Sequence, residues 1–219
     1  MEGGVFLDNF LLILELIGTV SFAVSGGMVA IHKKTDIFGV LLLAAVTAVG
    51  GGITRDVILG KTPPTAFINK NYVLIALATA FVLFFIAKTN QKKYQQYEMQ
   101  IFIINNIFDA IGLGIFTVVG VQVGQQAEQG ENLFFCLFLG VVTAIGGGMI
   151  RDLMLKEVPF VLEKQVYAVA CLLGGASYWY LTKFSALEID VISVISIIVV
   201  FTIRMLATKY EWNLPKAIE

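Results

Sequence analysis

The chain has little charge for its length. Only 14% of its 219 residues are Asp, Glu, Lys or Arg, against 58% hydrophobic residues, whereas a soluble domain carries about 25% charged residues. Its mean hydropathy is +0.84. One aqueous core does not hide so much apolar surface, so the composition predicts an all-α integral membrane protein. The net charge of −1 indicates no particular partner, and the sequence has no basic tract suited to nucleic acid, so we expect no nucleic-acid partner.

Residues typical of enzyme and metal sites are also scarce. The chain has one histidine, His32, and two cysteines, Cys136 and Cys171, which lie inside apolar runs. The sequence contains no metal-ligand spacing, Ser-His-Asp set or phosphate-binding loop. We therefore expect no enzyme, no cofactor and no metal beyond a permeating K⁺ or Na⁺. The N-terminus also lacks the positive charge of a signal peptide, so the first apolar run is expected to be a membrane span.

Long apolar runs dominate what remains. A helical span needs about 20 mostly apolar residues, and seven segments meet this requirement. They are residues 8–31, 37–59, 70–88, 101–123, 132–155, 163–183 and 187–207. The connections between them are short and leave no room for a separate soluble domain. The sequence therefore predicts seven transmembrane helices.

One ten-residue phrase occurs twice, as TAVGGGITRD from Thr47 to Asp56 and as TAIGGGMIRD from Thr143 to Asp152. The duplication extends beyond the phrase: Glu15, Gly18, Phe22 and Tyr72 match Asp109, Gly112, Phe116 and Tyr167. After the phrase, Lys61 and Pro64 align with Lys156 and Pro159, which leaves Gly60 as an extra residue.

Each copy of the duplication contains three spans. Because three is odd, the second copy enters the membrane from the opposite face, which predicts a 3+3 inverted-topology repeat plus a seventh helix. The expected units are residues 1–95 for the first repeat, 96–184 for the second, and 185–219 for the seventh helix with a short C-terminal tail.

The duplicated glycine triplets are the first candidate site. Three successive glycines weaken a helix by about 1 kcal/mol each relative to alanine, and non-helical backbone at membrane depth is tolerated where it lines a wet cavity. We expect a break or kink at these residues that lines a cation path, against the alternative of close helix packing. The residues are Gly50, Gly51, Gly52, Gly146, Gly147 and Gly148, with Thr47 and Thr143 one turn earlier as polar lining.

Charged residues follow each triplet inside apolar sequence. They are the pairs Arg55 with Asp56 and Arg151 with Asp152. Charge at membrane depth seeks a partner or water, and neighbours in sequence do not face each other on a helix. We therefore expect each arginine to contact the glycine break or the aspartate of the other copy; the alternative is two interfacial anchors.

Two further acids are duplicated inside apolar helices. Glu15 lies near one end of the first span and Asp109 near the opposite end of the fourth. Acids placed at two mouths concentrate cations, and the open alternative is a pair of hydrated helix-end carboxylates. Lys156 and Glu157 close the fifth span, either as a hydrated cap or as a contact for anionic lipid.

The distribution of basic residues predicts the orientation. One face carries most of them, namely His32, Lys33, Lys34, Lys88, Lys92, Lys93, Lys156, Lys164, Lys209 and Lys216. That face is expected to be cytoplasmic, which places the N-terminus outside and the C-terminus inside. Arg204 lies near the cytoplasmic end of the seventh span, where snorkelling to the interface is the simple interpretation.

The doubled Gly-Gly-Gly-x-x-Arg-Asp motif, with Lys156-Glu157-Val158-Pro159 after the second copy, resembles the trimeric intracellular cation (TRIC) channels. In particular the chain is similar to their bacterial members, which are also labelled as a glycine-transporter-domain family. The resemblance covers residues 8–207 and implies a homotrimer in the inner (plasma) membrane. It further implies an hourglass pore for monovalent cations, chiefly potassium, lined in each protomer by glycine-kinked second and fifth helices, and a lipid contact at Lys156 and Glu157.

A secondary transporter for glycine or a similar small zwitterion is the alternative function. Inverted repeats and a midplane site are as typical of transporters as of this kind of channel. A transporter requires a closed, substrate-sized site, whereas a channel requires a continuous polar path, and the sequence does not distinguish the two.

Overall fold

The computed structural model describes residues 2–163 and 166–212, which form ten helices and contain no strand. The expected C-terminal tail beyond residue 212, with Lys216, and also Lys164 lie outside the described residues. The helices are α1 (Glu2–His32), α2 (Ile37–Ile58), α3 (Thr65–Ile68), α4 (Asn71–Thr89), α5 (Gln91–Gln96), α6 (Glu98–Gln125), α7 (Leu133–Met154), α8 (Phe160–Glu163), α9 (Val166–Phe184) and α10 (Ile189–Lys209).

The seven longest of these helices coincide with the predicted spans to within a few residues at most ends. Six of them are long and apolar enough to cross a membrane, namely α1, α2, α4, α6, α7 and α10. The protein is therefore an all-helical membrane protein with six candidate spans in the part of the chain that the structure describes. The remaining long helix, α9, has 19 residues and a more polar composition, with three tyrosines and one tryptophan.

The short helices α3, α5 and α8 were not predicted, because four to six residues are too few to show a periodic apolar pattern. Both α3 and α8 follow the charged end of a long helix, α2 and α7 respectively. They therefore occupy equivalent places in the two sequence copies.

The central helices are α2 and α7, which pack against each other, with α1 and α6 beside them. On one side α4 covers α1 and α2, and on the other side α9 covers α6 and α7. The last helix, α10, packs on α6 and α9, and no helix of the first copy occupies the corresponding place in the described residues. Equivalent helices of the two copies thus have equivalent neighbours, and α10 is the addition.

The contacts between the copies are reciprocal. Phe22 of α1 stacks on Phe116 of α6 with ring centroids 5.2 Å apart. A Cβ on Gly18 would collide with the Phe116 ring, and a Cβ on Gly112 would collide with the Phe22 ring. Residues with higher numbers in α1 meet residues with lower numbers in α6, so the two helices are antiparallel. Each glycine makes room for the phenylalanine of the other copy.

The helix ends are duplicated as well. Asp36 caps α2 by accepting a hydrogen bond from the Gly39 N–H at 2.8 Å, and Asn132 caps α7 through the Phe135 N–H at 3.2 Å. After the helices, Gly60 and Lys156 both have positive φ, 69° and 57°.

This pairing corrects the alignment made from sequence. Lys156 matches Gly60 rather than Lys61, because both residues occupy the left-handed position that ends a helix. The extra residue of the first copy therefore lies between Lys61 and Pro64.

Ion pairs mark the two ends of the bundle. At one end His32 of α1 contacts Glu98 of α6 at 3.1 Å, and Lys33 pairs with Glu157 after α7. At the other end Lys183 of α9 pairs with Glu131, just before α7. The end of α1, the start of α6 and the end of α7 therefore lie on one face, and the start of α7 and the end of α9 lie on the opposite face.

Candidate functional site

The two glycine triplets meet where α2 crosses α7. A Cβ on Gly50 would lie 3.1 Å from the Gly147 Cα, and a Cβ on Gly146 would lie 3.1 Å from the Gly51 Cα. A Cβ on Gly51 would overlap the Thr143 carbonyl oxygen, and a Cβ on Gly147 would overlap that of Thr47. The backbones of the two antiparallel helices are thus in direct contact, as small residues permit in membranes.

Neither helix is interrupted at the glycines: α2 and α7 both continue as α-helices through the triplets, from Ile37 to Ile58 and from Leu133 to Met154. Of the expected break or kink, the break is therefore wrong, and a kink or hinge at these residues stays a prediction. The physical reason for the continuous helices is that the missing side chains admit the facing backbone, so the contact between the helices compensates for the weak helix propensity of glycine. Close helix packing was the alternative interpretation of the sequence. The first two glycines of each triplet are packed in this way.

The third glycine of each triplet differs from the other two. For a Cβ on Gly52 the nearest neighbouring atom would be the Arg55 Nη2 at 3.9 Å, and for Gly148 it would be the Arg151 Nη2 at 3.8 Å. Both glycines are only partly buried. Gly52 and Gly148 therefore leave space beside the guanidinium groups instead of joining the helix crossing.

The threonines before the triplets serve the same crossing. Thr47 and Thr143 are both 2% exposed. Each hydroxyl donates to the carbonyl one turn earlier, that of Leu43 or Leu139, at 2.6 Å. Their carbonyls face Gly147 and Gly51 of the other helix. Both hydroxyls are therefore bonded within their own helices, and the polar-lining role expected from sequence stays a prediction.

The arginines pair with the aspartates next to them in sequence. Arg55 donates from Nε at 2.9 Å and from Nη2 at 2.7 Å to the same oxygen, Oδ1 of Asp56. Arg151 donates from Nε at 2.8 Å to Oδ1 of Asp152, with Nη2 2.7 Å from that oxygen. All four side chains are at most 9% exposed. These are buried, hydrogen-bonded ion pairs, which is the state in which charge is tolerated inside a membrane protein.

The prediction that each arginine would pair with the aspartate of the other copy is therefore wrong, and the expected place of each arginine near the glycines of the other copy stays a prediction. Adjacent side chains diverge on a helix, but the arginine side chain is long enough to reach its neighbour. The alternative of interfacial anchors in bulk water is also wrong for all four groups, because they are buried.

The second oxygen of each aspartate holds the following loop. Oδ2 of Asp56 accepts from the Thr65 N–H at 2.8 Å, and Oδ2 of Asp152 accepts from the Phe160 N–H at 2.9 Å. Thr65 and Phe160 are the first residues of α3 and α8. Each Arg-Asp pair thus fastens a short helix to the end of a long one.

The duplicated acids lie near these pairs. The Tyr72 hydroxyl of α4 donates to the half-buried Glu15 carboxylate, and Arg55 and Asp56 are the charged groups that act on Glu15. We call Glu15, Tyr72, Arg55 and Asp56 the first-copy cluster. Glu15 is therefore partnered, and its expected place near one end of the bundle fits its position beside the end of α2.

The matching group at the other end is more deeply buried. Asp109 is 7% exposed and accepts from the Ser25 hydroxyl at 3.2 Å, and Ser25 in turn accepts from Arg151 at 3.4 Å. The Tyr167 ring lies 4.5 Å from the guanidinium carbon of Arg204 and 5.6 Å from the ring of Phe160, whose N–H donates to Asp152. We call Asp109, Ser25, Tyr167, Arg151, Asp152 and Arg204 the second-copy cluster. Asp109 is therefore an interior carboxylate rather than a hydrated one.

Arg204 was missed as a site residue. The sequence suggested a snorkelling side chain, but Arg204 is 3% exposed, and its guanidinium carbon lies 4.5 Å from the ring centroid of Tyr167 and 5.7 Å from that of Phe160. Snorkelling fails because α9 and α6 cover this face of α10. The signal in the sequence was a lone arginine between Ile203 and Met205 inside an otherwise apolar span.

Lys156 and Glu157 lie outside the clusters. Both are exposed, and Glu157 pairs with Lys33 from the loop after α1. They form part of a hydrated surface at the end of α7, which agrees with a cap. A lipid contact at these residues stays a prediction.

Comparison with known proteins relates these features to a family. The family model described as "Glycine transporter" matches the chain twice, over residues 12–88 and 106–183. The UPF0126 inner membrane protein YadS of Escherichia coli (strain K12) is 31% identical over 202 residues, which cover 92% of this chain and 93% of YadS. The two matches of one model follow the duplication of the sequence.

Solved structures of similar sequence share the fold. A prokaryotic TRIC channel crystallised in 0.5 M KCl superposes with a TM-score of 0.82 at 33% identity, covering 93% of this chain and 98% of the other. The TRIC trimeric intracellular cation channel orthologue from Rhodobacter sphaeroides gives a TM-score of 0.80 at 33% identity, covering 92% and 98%. These matches in sequence and fold show that the chain belongs to the TRIC channel family.

Proposed function

We propose that this chain forms a cation channel that passes monovalent cations, chiefly potassium. The observation that carries the proposal is its similarity to TRIC cation channels, at 33% identity and TM-scores of 0.79 to 0.82 over more than nine-tenths of both chains. The buried clusters agree with this function, since a channel needs fixed charge near its mouths and has no need for a reacting group.

The proposed path runs beside the crossing of α2 and α7 within one protomer. The tight contact of Gly50 and Gly51 with Gly146 and Gly147 forms its constriction, and the open faces of Gly52 and Gly148 lie beside the arginines. Arg55 lies about 27 Å along α2 from Ile37, at about 1.5 Å per residue. The antiparallel α7 places Arg151 toward the opposite end, so the two clusters are candidates for the two mouths.

The proposed architecture is a 3+3 inverted repeat with the units 1–95, 96–184 and 185–219, in which α9 crosses the membrane as a seventh span. The reciprocal contacts and the double match of the family model support it. We further propose a homotrimer in the inner (plasma) membrane, with the N-terminus outside, the C-terminus cytoplasmic, and lipid headgroups near Lys156 and Glu157. The similar Rhodobacter sphaeroides protein is a trimeric intracellular cation channel orthologue, and YadS is named an inner membrane protein; these similarities support the assembly and the location.

Reconstitution in a planar bilayer with a potassium gradient tests the proposal. Discrete unitary currents that reverse at the potassium equilibrium potential are expected. The matched control is the double variant with Asp56→Ala and Asp152→Ala, purified and reconstituted in parallel. This variant lacks the buried partners of both arginines. A bilayer that stays silent with properly folded protein would contradict the channel.

A secondary transporter for glycine is the second candidate, because the matching family model is described as "Glycine transporter". Proteoliposomes loaded with unlabelled glycine distinguish the two functions. A transporter accelerates uptake of labelled glycine by counterflow and saturates, whereas a channel of the proposed kind leaves glycine uptake at the level of empty vesicles.

A further inference from the structure

Helix α10 stands outside the two sequence copies, yet it contributes a buried charge to the second one. Arg204 is 3% exposed and lies over the faces of Tyr167 and Phe160. No carboxylate oxygen lies within 4.0 Å of its guanidinium nitrogens, and its Nε has no hydrogen-bond partner, among the described residues. A buried cation without an ion pair requires compensation nearby.

The compensating charge is Asp109. Its Oδ2 is buried and also lacks a hydrogen-bond partner in the described part of the chain. Contacts within the second-copy cluster connect the two groups: Asp109 accepts from Ser25, which accepts from Arg151. Asp152, the partner of Arg151, accepts from the N–H of Phe160, and the guanidinium of Arg204 lies over the rings of Phe160 and Tyr167.

Among the described residues, the first copy has no counterpart of this cation, because no helix packs there as α10 does on the second copy. Tyr72, the counterpart of Tyr167, donates to Glu15. The first-copy cluster holds Glu15 and Asp56 against Arg55, which gives a formal charge of −1. The second-copy cluster holds Asp109 and Asp152 against Arg151 and Arg204, which gives a formal charge of zero.

We propose that Arg204 is a positioning residue that balances Asp109 and leaves the proposed cation path with one anionic end and one neutral end. The proposal rests on the proposed channel function and extends it to a direction: potassium current that enters from the Glu15 end exceeds current of the opposite direction. The added helix α10 thereby breaks the electrostatic symmetry of the duplication.

The size of the effect follows from Coulomb's law. A unit charge about 10 Å from the path in water changes the local cation concentration by roughly a factor of two. In about 0.05 M KCl the Debye length is above 10 Å, whereas in about 1 M KCl it is about 3 Å. Because screening over about 10 Å roughly halves the interaction energy in the dilute salt, the ratio of currents at equal and opposite voltages should be about 1.4 there and close to one in the concentrated salt.

The charge balance is tested without current, by thermal unfolding in detergent. Arg204→Gln and Asp109→Asn should each lower the Tm by about 5 °C or more, because each leaves one buried charge uncompensated. The double variant should recover most of the loss. Arg204→Lys keeps the charge and should lie closer to the wild type than Arg204→Gln. Additive losses in the double variant would overturn the pairing.

The asymmetry is tested by single-channel recording in symmetric KCl. In dilute salt Arg204→Gln and Glu15→Gln should both bring the current ratio toward one, whereas Arg204→Lys should keep it. The matched control is Lys209→Gln, which removes an exposed charge from the same helix and should change the ratio little. If Arg204→Gln does not fold, Glu15→Gln alone decides, because it cancels the charge of the other end.

The outcomes separate the two proposals. A conducting wild type whose ratio is unchanged by Glu15→Gln and by Arg204→Gln overturns the asymmetry and leaves the channel intact. A folded wild type without current overturns the proposed channel function and with it the directed current. In that case the Tm values of the single and double variants still test whether Arg204 balances Asp109.

Discussion

At the scale of single residues, the glycine triplets divide into two positions that touch the other helix and one that does not. Gly51 and Gly147 face carbonyl oxygens of the partner helix, whereas Gly52 and Gly148 have only a guanidinium nitrogen near them. The sequence predicted the importance of the triplets from their duplication. It did not predict which glycines are required for the close contact of α2 with α7, because that depends on where the backbone of the facing helix lies.

The triplets therefore offer matched substitutions. Gly51→Ala and Gly147→Ala should destabilise the protein by about 3 kcal/mol or more, since a Cβ overlaps backbone that moves only with its whole helix. Gly52→Ala and Gly148→Ala should be neutral or stabilising by up to about 1 kcal/mol, because alanine favours the helix. Thermal unfolding in detergent measures the difference. Equal losses at all four positions would show that the crossing is looser than described.

Lys156 is a second residue whose conformation matters. It has a φ of 57° at the helix-ending position where the first copy has Gly60 with a φ of 69°. A side chain in this left-handed region costs about 1 kcal/mol relative to glycine. Lys156→Gly should therefore raise stability by up to about 1 kcal/mol, and Gly60→Lys should lower it by about as much, as read from the Tm of each variant. A loss on Lys156→Gly would mean that the lysine side chain makes a stabilising contact at the surface.

At the scale of helices, the Arg-Asp pairs connect elements rather than stand free in a path. Each aspartate accepts from its arginine with one oxygen and from the first N–H of α3 or α8 with the other. This explains why the motif ends both central helices: the aspartate sets the direction in which the chain leaves the helix. From sequence, charge at membrane depth indicated a functional role for these residues. The structure adds a structural role, which is to hold the start of the next short helix.

Loss of the aspartate should release the short helix. Asp152→Ala removes the acceptor of the Phe160 N–H, a charge-assisted hydrogen bond worth about 1.5–3 kcal/mol. Amide hydrogen exchange at Phe160 should accelerate by roughly ten-fold or more, while amides in the middle of α7 stay protected. Asp56→Ala should do the same at Thr65. Glu157→Ala, which removes a surface ion pair near the same loop, is the control and should leave the Phe160 amide unchanged.

The long helices were predictable from sequence because a span needs only length and apolar composition, and both can be counted. Partners across the bundle were not. The interior position of Arg204 depends on coverage by α6 and α9. The pairing of Arg55 with Asp56 joins sequence neighbours that ordinarily diverge on a helix. The duplication could be recognised in the sequence. The contact of Gly18 with Phe116 and its counterpart between Gly112 and Phe22 could not, because they require the copies to be antiparallel.

At the scale of the whole molecule, surface ion pairs distinguish the two faces. Glu157 pairs with Lys33 on the face that holds the ends of α1 and α7, and Glu131 pairs with Lys183 on the opposite face. The proposed orientation makes the first face cytoplasmic, in agreement with its many basic residues. Exposed ion pairs contribute at most about 1 kcal/mol, so either acid is replaceable without loss of the fold.

Glu131→Cys and Glu157→Cys therefore form a matched pair of topology probes. The native cysteines, Cys136 and Cys171, are both fully buried, so background labelling should be low. With a membrane-impermeant maleimide on intact spheroplasts, the cysteine at 131 should react, whereas the one at 157 should react only after permeabilisation. The reverse pattern would place the N-terminus inside. Reaction of both cysteines from outside would mean that an even number of crossings separates residues 131 and 157, which conflicts with α7 as a single span between them.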